Sequence, residues 1–221
     1  MNIAQNIENI KAQLANTSAQ LIAVTKTKPI SDLEEAYQAG CKVFGENKVQ
    51  EMVSKWEVLP KDISWHLIGH LQTNKVKYMA SFVSLIHSVD SFKLLQEIDK
   101  QAQKHNRVID CLLQIYIAQE DTKFGLSEEE AIAILTSSEL AQLHNIRVVG
   151  LMGMASNTDN LEQIRLEFRG LKQLFNRFSQ EYVLPNTAWK EVSMGMSGDF
   201  QIAAEEGSTL VRVGSAIFGH R

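Results

Sequence analysis

Short β-rich runs alternate eight times with longer stretches of helical period along this chain, and that rhythm leaves few folds open to it. The runs are Leu21-Ile22-Ala23-Val24, Lys42-Val43-Phe44, Ser64 to Ile68, Phe82 to His87 and Ile109 to Ile117, then Ile146 to Met152, Glu191 to Met194 and Leu210 to Val213. After Pro29 the pattern predicts a helix that Ser31 or Asp32 caps and Gly40 closes. Further helices are expected over Lys48 to Leu59, Lys75 to Ala80, Phe92 to His105, Ser127 to His144, Asn160 to Tyr182 and Asp199 to Glu206. Ser127 with Glu130 three residues on reads as a capping box. The fifth run, with Cys111-Leu112-Leu113 at its centre, has the two-sided apolar character of a parallel strand.

Eight strands separated by helices point to the α/β class and a closed (β/α)8 barrel of TIM type. An open doubly wound sheet would ordinarily use fewer strands at this length, and its Gly-rich dinucleotide fingerprint is missing. Ile3, Ile7, Ile10 and Leu14 share one helical face, so an extra N-terminal helix opens the chain. Few residues follow the eighth run, so no eighth outer helix is expected there and the N-terminal helix is expected to fill its place. No repeat, low-complexity stretch or linker interrupts the rhythm, so residues 1–221 read as a single domain.

Composition narrows the partners. At 44% hydrophobic and 22% charged residues the chain is ordinary for a soluble domain. A net charge of -4 and scattered Lys and Arg argue against nucleic acid. No apolar run reaches membrane-span length and the first residues lack a leader pattern, so a cytoplasmic protein without a membrane partner is expected. Cys41 and Cys111, far apart and outside any CxxC, read as reduced, partly buried thiols.

A barrel of this type keeps its active site at the C-terminal ends of its strands, so the residues after each run carry the argument. After the first come Thr25-Lys26-Thr27-Lys28-Pro29. Lys26 continues the alternation of Ile22 and Val24 and falls in phase with a buried face. Partial desolvation there would favour the neutral amine, the form that attacks an aldehyde; Lys28 reads as solvated. On this motif alone, two ordinary surface lysines are an equal alternative. After the second run Gly45 permits close backbone approach, and Asn47 could bond a ring substituent or simply cap the next helix. After the seventh and eighth come Ser193-Met194-Gly195-Met196-Ser197-Gly198-Asp199 and Arg212-Val213-Gly214-Ser215-Ala216-Ile217-Phe218-Gly219. Barrel phosphate sites are frequently built from these two loops and a helix N-terminus, and small residues let amides converge on an anion. Asp199 suits that neighbourhood only if its side chain turns away, for instance as a cap.

Other features read as structural. His66 and His70 have i, i+4 spacing but fall on a strand and turn without HExxH, against a metal site. His87, His105, His144 and His220 form no motif. Met152, Met154, Met194 and Met196 read as wall and core residues, with one able to pack on a flat ring.

Taken together, these motifs resemble the pyridoxal-phosphate homeostasis protein family, which shares its barrel with the N-terminal domain of bacterial alanine racemase. The resemblance spans nearly the whole chain. It is carried by Ala23-Val24-Thr25-Lys26-Thr27-Lys28-Pro29, Phe44-Gly45-Glu46-Asn47-Lys48-Val49-Gln50-Glu51, Trp65-His66-Leu67-Ile68-Gly69-His70-Leu71-Gln72-Thr73-Asn74-Lys75, Gly150-Leu151-Met152, Ser193-Met194-Gly195-Met196-Ser197 and Val211-Arg212-Val213-Gly214-Ser215-Ala216-Ile217-Phe218-Gly219. It implies pyridoxal 5'-phosphate (PLP) as cofactor, with Lys26 as the Schiff-base lysine. Ser197, Gly214 and Ser215 match phosphate-binding positions, Arg212 the arginine facing the pyridine nitrogen, and Asn47 a residue near the ring. Thr25 and Ser215 stand where the family often has Ser and Thr, and His70 where Pro is common.

The implied role is to carry or buffer PLP in support of vitamin B6 and amino-acid homeostasis, without substrate turnover. Apo PLP-dependent enzymes are the candidate recipients, and a monomer is the expected state. An always-charged guanidinium cannot accept a proton from the ring nitrogen and so weakens the ring as an electron sink. The competing reading is an amino-acid racemase or another lysine-aldimine enzyme. Racemisation needs an acid/base group on each face of the cofactor. None of Tyr37, Tyr78, Tyr116 or Tyr182 lies in a recognisable catalytic motif.

Overall fold

Each short run becomes one strand of a closed parallel barrel, in the order in which the strands occur along the chain. A computed structural model describes residues 2–119 and 124–219. Helix α1 (Ile3–Leu14) precedes β1 (Gln20–Val24), α2 (Ile30–Gln38), β2 (Val43–Glu46), α3 (Val49–Val58) and β3 (Ser64–Leu67). A 3-10 segment over Thr73–Tyr78 leads to β4 (Leu85–Val89), α4 (Phe92–Lys104), β5 (Ile109–Gln114), α5 (Glu128–Thr136) and β6 (Ile146–Met152). Then come α6 (Leu161–Glu181), β7 (Thr187–Met196), α7 (Phe200–Glu205), β8 (Leu210–Val213) and the single turn α8 (Ser215–Phe218). The barrel closes where β1 pairs with β8, Gln20 beside Leu210 and Ile22 beside Arg212.

Two apolar layers hold this together. Ile22, Leu85, Leu112, Val149, Met152 and Leu210 form a cluster of their own, while a larger one joins strands to helices. In α1, Ile3, Ile7, Ile10 and Leu14 are all buried, at roughly 1.5–3 kcal/mol for each side chain fully withdrawn from water. That helix packs on α2, α7 and α8 and fills the expected gap. Strand β7 comes so close to β6 that a Cβ on Gly150 would lie 1.7 Å from the Glu191 carbonyl oxygen, which admits only glycine there.

Several boundaries differ from the sequence reading. An eighth helix does follow β8, because one turn is enough to bury Ile217 and Phe218 against α1. The fourth strand starts three residues later than Phe82, whose ring instead stacks on Trp56 at 4.3 Å between centroids. Helix α5 keeps its Ser127/Glu130 capping box but stops at Thr136. There Ser137 turns extended, and its hydroxyl accepts from the Glu139 amide, a local bond that competes with the helix. Strand β7 begins at Thr187 rather than Glu191. Cys41 and Cys111 are free and fully buried, and burial pushes both thiols up, away from the reactive thiolate. Among the described residues no helix is long and apolar enough to cross a membrane.

Candidate functional site

A cavity of about 590 Å³ opens at the C-terminal end of the barrel, and Lys26, Asn47, Ser197, Arg212, Gly214 and Ser215 all line it. Strand ends separated by most of the chain thus converge on one space of a size suited to a small ligand.

Lys26 follows the end of β1, and the backbone on either side of it is clamped. Thr25 donates its hydroxyl to Glu46 Oε1 at 2.5 Å. Lys55, on α3, donates to the Thr25 carbonyl, to Glu46 Oε1 and to Glu51 Oε1, each at 2.7 Å. Glu51 Oε1 also accepts from the Thr27 amide at 2.5 Å. Thr27 is held at φ 64, a left-handed conformation that a β-branched residue adopts only under constraint. One buried lysine and two glutamates therefore set the direction in which Lys26 leaves the strand. The Lys26 side chain itself is exposed, not partly desolvated as its phase suggested, because it projects from the strand end into the open mouth. Lys28, expected to be solvated, is half-buried and donates to the carbonyls of Phe218 and Gly219 at 3.0 Å each, sealing the end of α8.

Asn47 is no helix cap; α3 starts at Val49 with Lys48 at the cap position. Gly69 presses against it so closely that a Cβ would stand 2.5 Å from the Asn47 carbonyl oxygen. The Gly69 carbonyl in turn accepts from the Ser88 hydroxyl at 2.5 Å.

The two loops at the far end of the chain are joined by Ser197, whose oxygen accepts from the amides of Gly214 at 3.1 Å and Ala216 at 3.4 Å. Asp199 turns back to accept from the Met196 amide at 2.5 Å. Its carboxylate is thereby occupied by its own turn, and it makes no side-chain cap to α7.

Arg212 is 4% exposed, and its guanidinium donates to Ser193 Oγ at 2.5 Å and to the Gly153 carbonyl at 3.2 Å. Burial lowers its pKa to about 10, with Asp199 pulling the other way, so it stays charged at neutral pH. Behind Ser193 lie His87, with Nδ1 at 2.8 Å from the serine oxygen, and His66, with Nδ1 at 3.0 Å from His87 Nε2. His66 Nε2 is 3.3 Å from Ser64 Oγ. Burial lowers His66 to about 3. His87 falls well below 6.5 through burial first and then the nearby His66 and Arg212. Both imidazoles are neutral.

Sequence reasoning passed over Lys55, Ser193 as a side-chain partner, and the pairing of His66 with His87. A signal for Lys55 was present: Val49, Met52 and Lys55 share the buried face of α3, and a lysine there demands acidic partners. Of the four methionines, Met152 and Met194 are core, while Met154 and Met196 line the cavity. His70 also lines it and faces Asp90 at 3.3 Å. No tyrosine lines the cavity among the described residues.

The alanine racemase N-terminal domain family matches residues 1–221. A pyridoxal phosphate homeostasis protein of Aquifex aeolicus is 42% identical over 96% of this chain and 91% of its own length. The structure of PipY from Synechococcus elongatus PCC7942 with PLP bound superposes with a TM-score of 0.88 at 35% identity, over 98% of this chain and all of that one. An alanine racemase from Bartonella henselae shares the fold, with a TM-score of 0.72 at 18% identity, and there the match takes up 58% of the racemase chain. The chain belongs to the pyridoxal phosphate homeostasis protein family, whose barrel is the alanine racemase N-terminal domain.

Proposed function

We propose that this protein binds PLP in the 590 Å³ cavity, through a Schiff base to Lys26, and carries or buffers it without turning over a substrate. One observation carries the reading: a primary amine (Lys26), a buried guanidinium (Arg212) and a hydroxyl-and-amide cluster at Ser197, Gly214 and Ser215 line the same cavity. These groups match the aldehyde, the pyridine nitrogen and the phosphate of PLP. The PLP-bound relative adds support, since its fold is shared over nearly the full chain.

When bound, PLP supplies an aldehyde that a second amine can take over. The chain's own residues decide how far reaction can go beyond that. Lys26 would hold the cofactor, and the clamp of Lys55, Glu46 and Glu51 fixes the backbone on either side of that lysine. Asn47, pressed by Gly69, lines the cavity and would be available to hydrogen-bond a ring substituent. Arg212 would meet the pyridine nitrogen with a positive charge that cannot accept its proton, which would disfavour protonation there and weaken the ring as an electron sink. Racemisation further requires an acid on the second face, and the cavity lining offers no tyrosine for that role among the described residues. Apo PLP-dependent enzymes are the proposed recipients, and residues 1–221 act as one domain.

Purified protein should be yellow, and borohydride should fix the cofactor on Lys26, as peptide mapping would show. Lys26→Ala should stay folded and retain no cofactor after reduction and denaturation. Trapping on Lys28 would refute the assignment. With amino acids in deuterated water, deuterium at Cα should accumulate no faster than with free PLP. Robust stereoinversion that Lys26→Ala abolishes would make the protein a racemase. PLP-loaded protein should activate an apo PLP enzyme, and a borohydride-reduced sample should not.

A further inference from the structure

We propose that Ser193, His87, His66 and Ser64 form a one-way hydrogen-bond chain through the barrel interior, set in direction by Arg212, which positions that guanidinium toward the cavity. The first link decides the rest. A guanidinium can only donate, so in the 2.5 Å contact with Arg212 the Ser193 oxygen accepts. Ser193 is fully buried, and its own hydrogen then has an acceptor in His87 Nδ1 at 2.8 Å. A neutral imidazole that accepts at Nδ1 carries its proton on Nε2. His87 Nε2–H therefore donates to His66 Nδ1 at 3.0 Å, and His66 Nε2–H donates to Ser64 Oγ at 3.3 Å.

The reverse arrangement fails at the top. If His87 donated from Nδ1, Ser193 would accept from both His87 and Arg212, and its buried hydroxyl hydrogen would have no acceptor among the described residues. The lower end imposes no such condition. Ser64 is only half-buried and lines a second cavity of about 240 Å³ at the opposite mouth, so its hydroxyl can accept or donate there. The direction is thus fixed by the arginine alone.

Two consequences follow for Arg212. Every dipole in the chain turns its acceptor end toward the cation, which steadies a buried charge that, among the described residues, has no carboxylate in hydrogen-bond contact. Ser193 and the Gly153 carbonyl also occupy two of the five guanidinium N–H groups. Their grip orients the others, and Arg212 reaches the cavity wall with donors to spare. Ser193, His87 and His66 are positioning residues, and their service to a pyridine ring rests on the PLP reading above.

The relay itself can be tested without cofactor. Nitrogen-15 spectra of the imidazoles in cofactor-free protein at neutral pH should show His66 and His87 both protonated at Nε2 and bare at Nδ1. In Arg212→Met the direction is released, and His87 should populate the Nδ1–H form to a third or more. Arg212→Lys, which restores a charged donor, should return the native pattern. Ser193→Ala, a smaller change than losing the arginine, should also release His87. A native His87 protonated at Nδ1, or a pattern indifferent to both Arg212→Met and Ser193→Ala, would overturn the relay. With PLP added, Ser193→Ala should weaken retention about tenfold and shift the visible band, and unchanged retention and band would count against the positioning role. Native protein that binds no PLP would sink the cofactor reading instead, and the relay would still stand or fall on the imidazole spectra.

Discussion

Two buried cations stand near the same mouth of this barrel, and they are held in opposite ways. Lys55, 5% exposed, is enclosed by Glu46 and Glu51 at 2.7 Å each and by a backbone carbonyl. Among the described residues Arg212, 4% exposed, donates to a serine hydroxyl and a backbone carbonyl and to no carboxylate. The first charge is cancelled where it sits and serves the strand end that bears Lys26. The second is offset by a carboxylate, Asp199, only through space, and it lines the cavity. The contrast separates a charge used to build the site from a charge offered to whatever enters it.

Removing Lys55 should produce the largest effect. Lys55→Met strands Glu46, which is fully buried, and breaking a buried pair from one side costs about 3–5 kcal/mol. Chemical denaturation would measure this. Burial already pushes the Glu46 carboxyl up against the pull of Lys55 and Thr25, so the pair contributes little net stability. Lys55→Met combined with Glu46→Leu should accordingly recover most of the loss, and a double variant as unstable as the single would break the comparison.

Acid should act next, and on the Arg212 side. His66 and His87 stay neutral when folded but take up protons from 6.5 downward when unfolded. Unfolding therefore binds protons, and stability is present above pH 6.5 and falls as pH drops below it. For His66 the fall runs toward about pH 3. Each histidine contributes a slope of about 1.4 kcal/mol per pH unit. Glu46, raised above 4.5, works in the opposite sense, so Glu46→Gln should steepen the curve. A stability profile flat from pH 7 to 5 in that variant would remove the case for two neutral buried imidazoles.

Arg212→Met should cost less than about 2 kcal/mol, because it leaves behind neutral partners and no buried charge, while PLP retention falls sharply. A loss equal to that of Lys55→Met would erase the distinction between the two cations. The smallest effect belongs to Thr27→Gly. Relief of the left-handed conformation, about 1–2 kcal/mol, is largely offset by the added chain entropy of glycine, roughly 0.5–1 kcal/mol. Unfolding free energies should then differ by less than about 1 kcal/mol, with Lys26 less firmly aimed and its trapping by borohydride slower.

The barrel was legible in the sequence because each strand is a compact apolar run, as at Leu210 to Val213, set between stretches of helical period, one of them marked by the Ser127/Glu130 capping box. Boundaries slipped where a hydrophobic residue found its partner outside the sheet, as Phe82 does on Trp56, or where a serine hydroxyl ended a helix early, as at Ser137. Lys26, Asn47, Ser197, Gly214 and Ser215 were legible since barrel geometry dictates which loop positions meet, whereas Arg212 was singled out by the family resemblance. What supports them was not. Lys55 meets Glu46 across a turn of structure, and His87 meets Ser193 across 106 positions; neither contact leaves a spacing in the sequence.

The seam between β1 and β8 joins segments 190 residues apart, as the bond from Lys28 to the Phe218 carbonyl shows. Lys26 lies on one side of that seam, and Arg212, Gly214 and Ser215 on the other. During synthesis, which proceeds from the N-terminus at roughly 5–20 residues per second, Lys26 emerges early and waits on the order of ten seconds or more for its partners. Until β8 has cleared the ribosome the lysine is an ordinary amine on an unfinished sheet. Under the proposed reading, loading with cofactor through Lys26 therefore reports that the seam between β1 and β8 has closed.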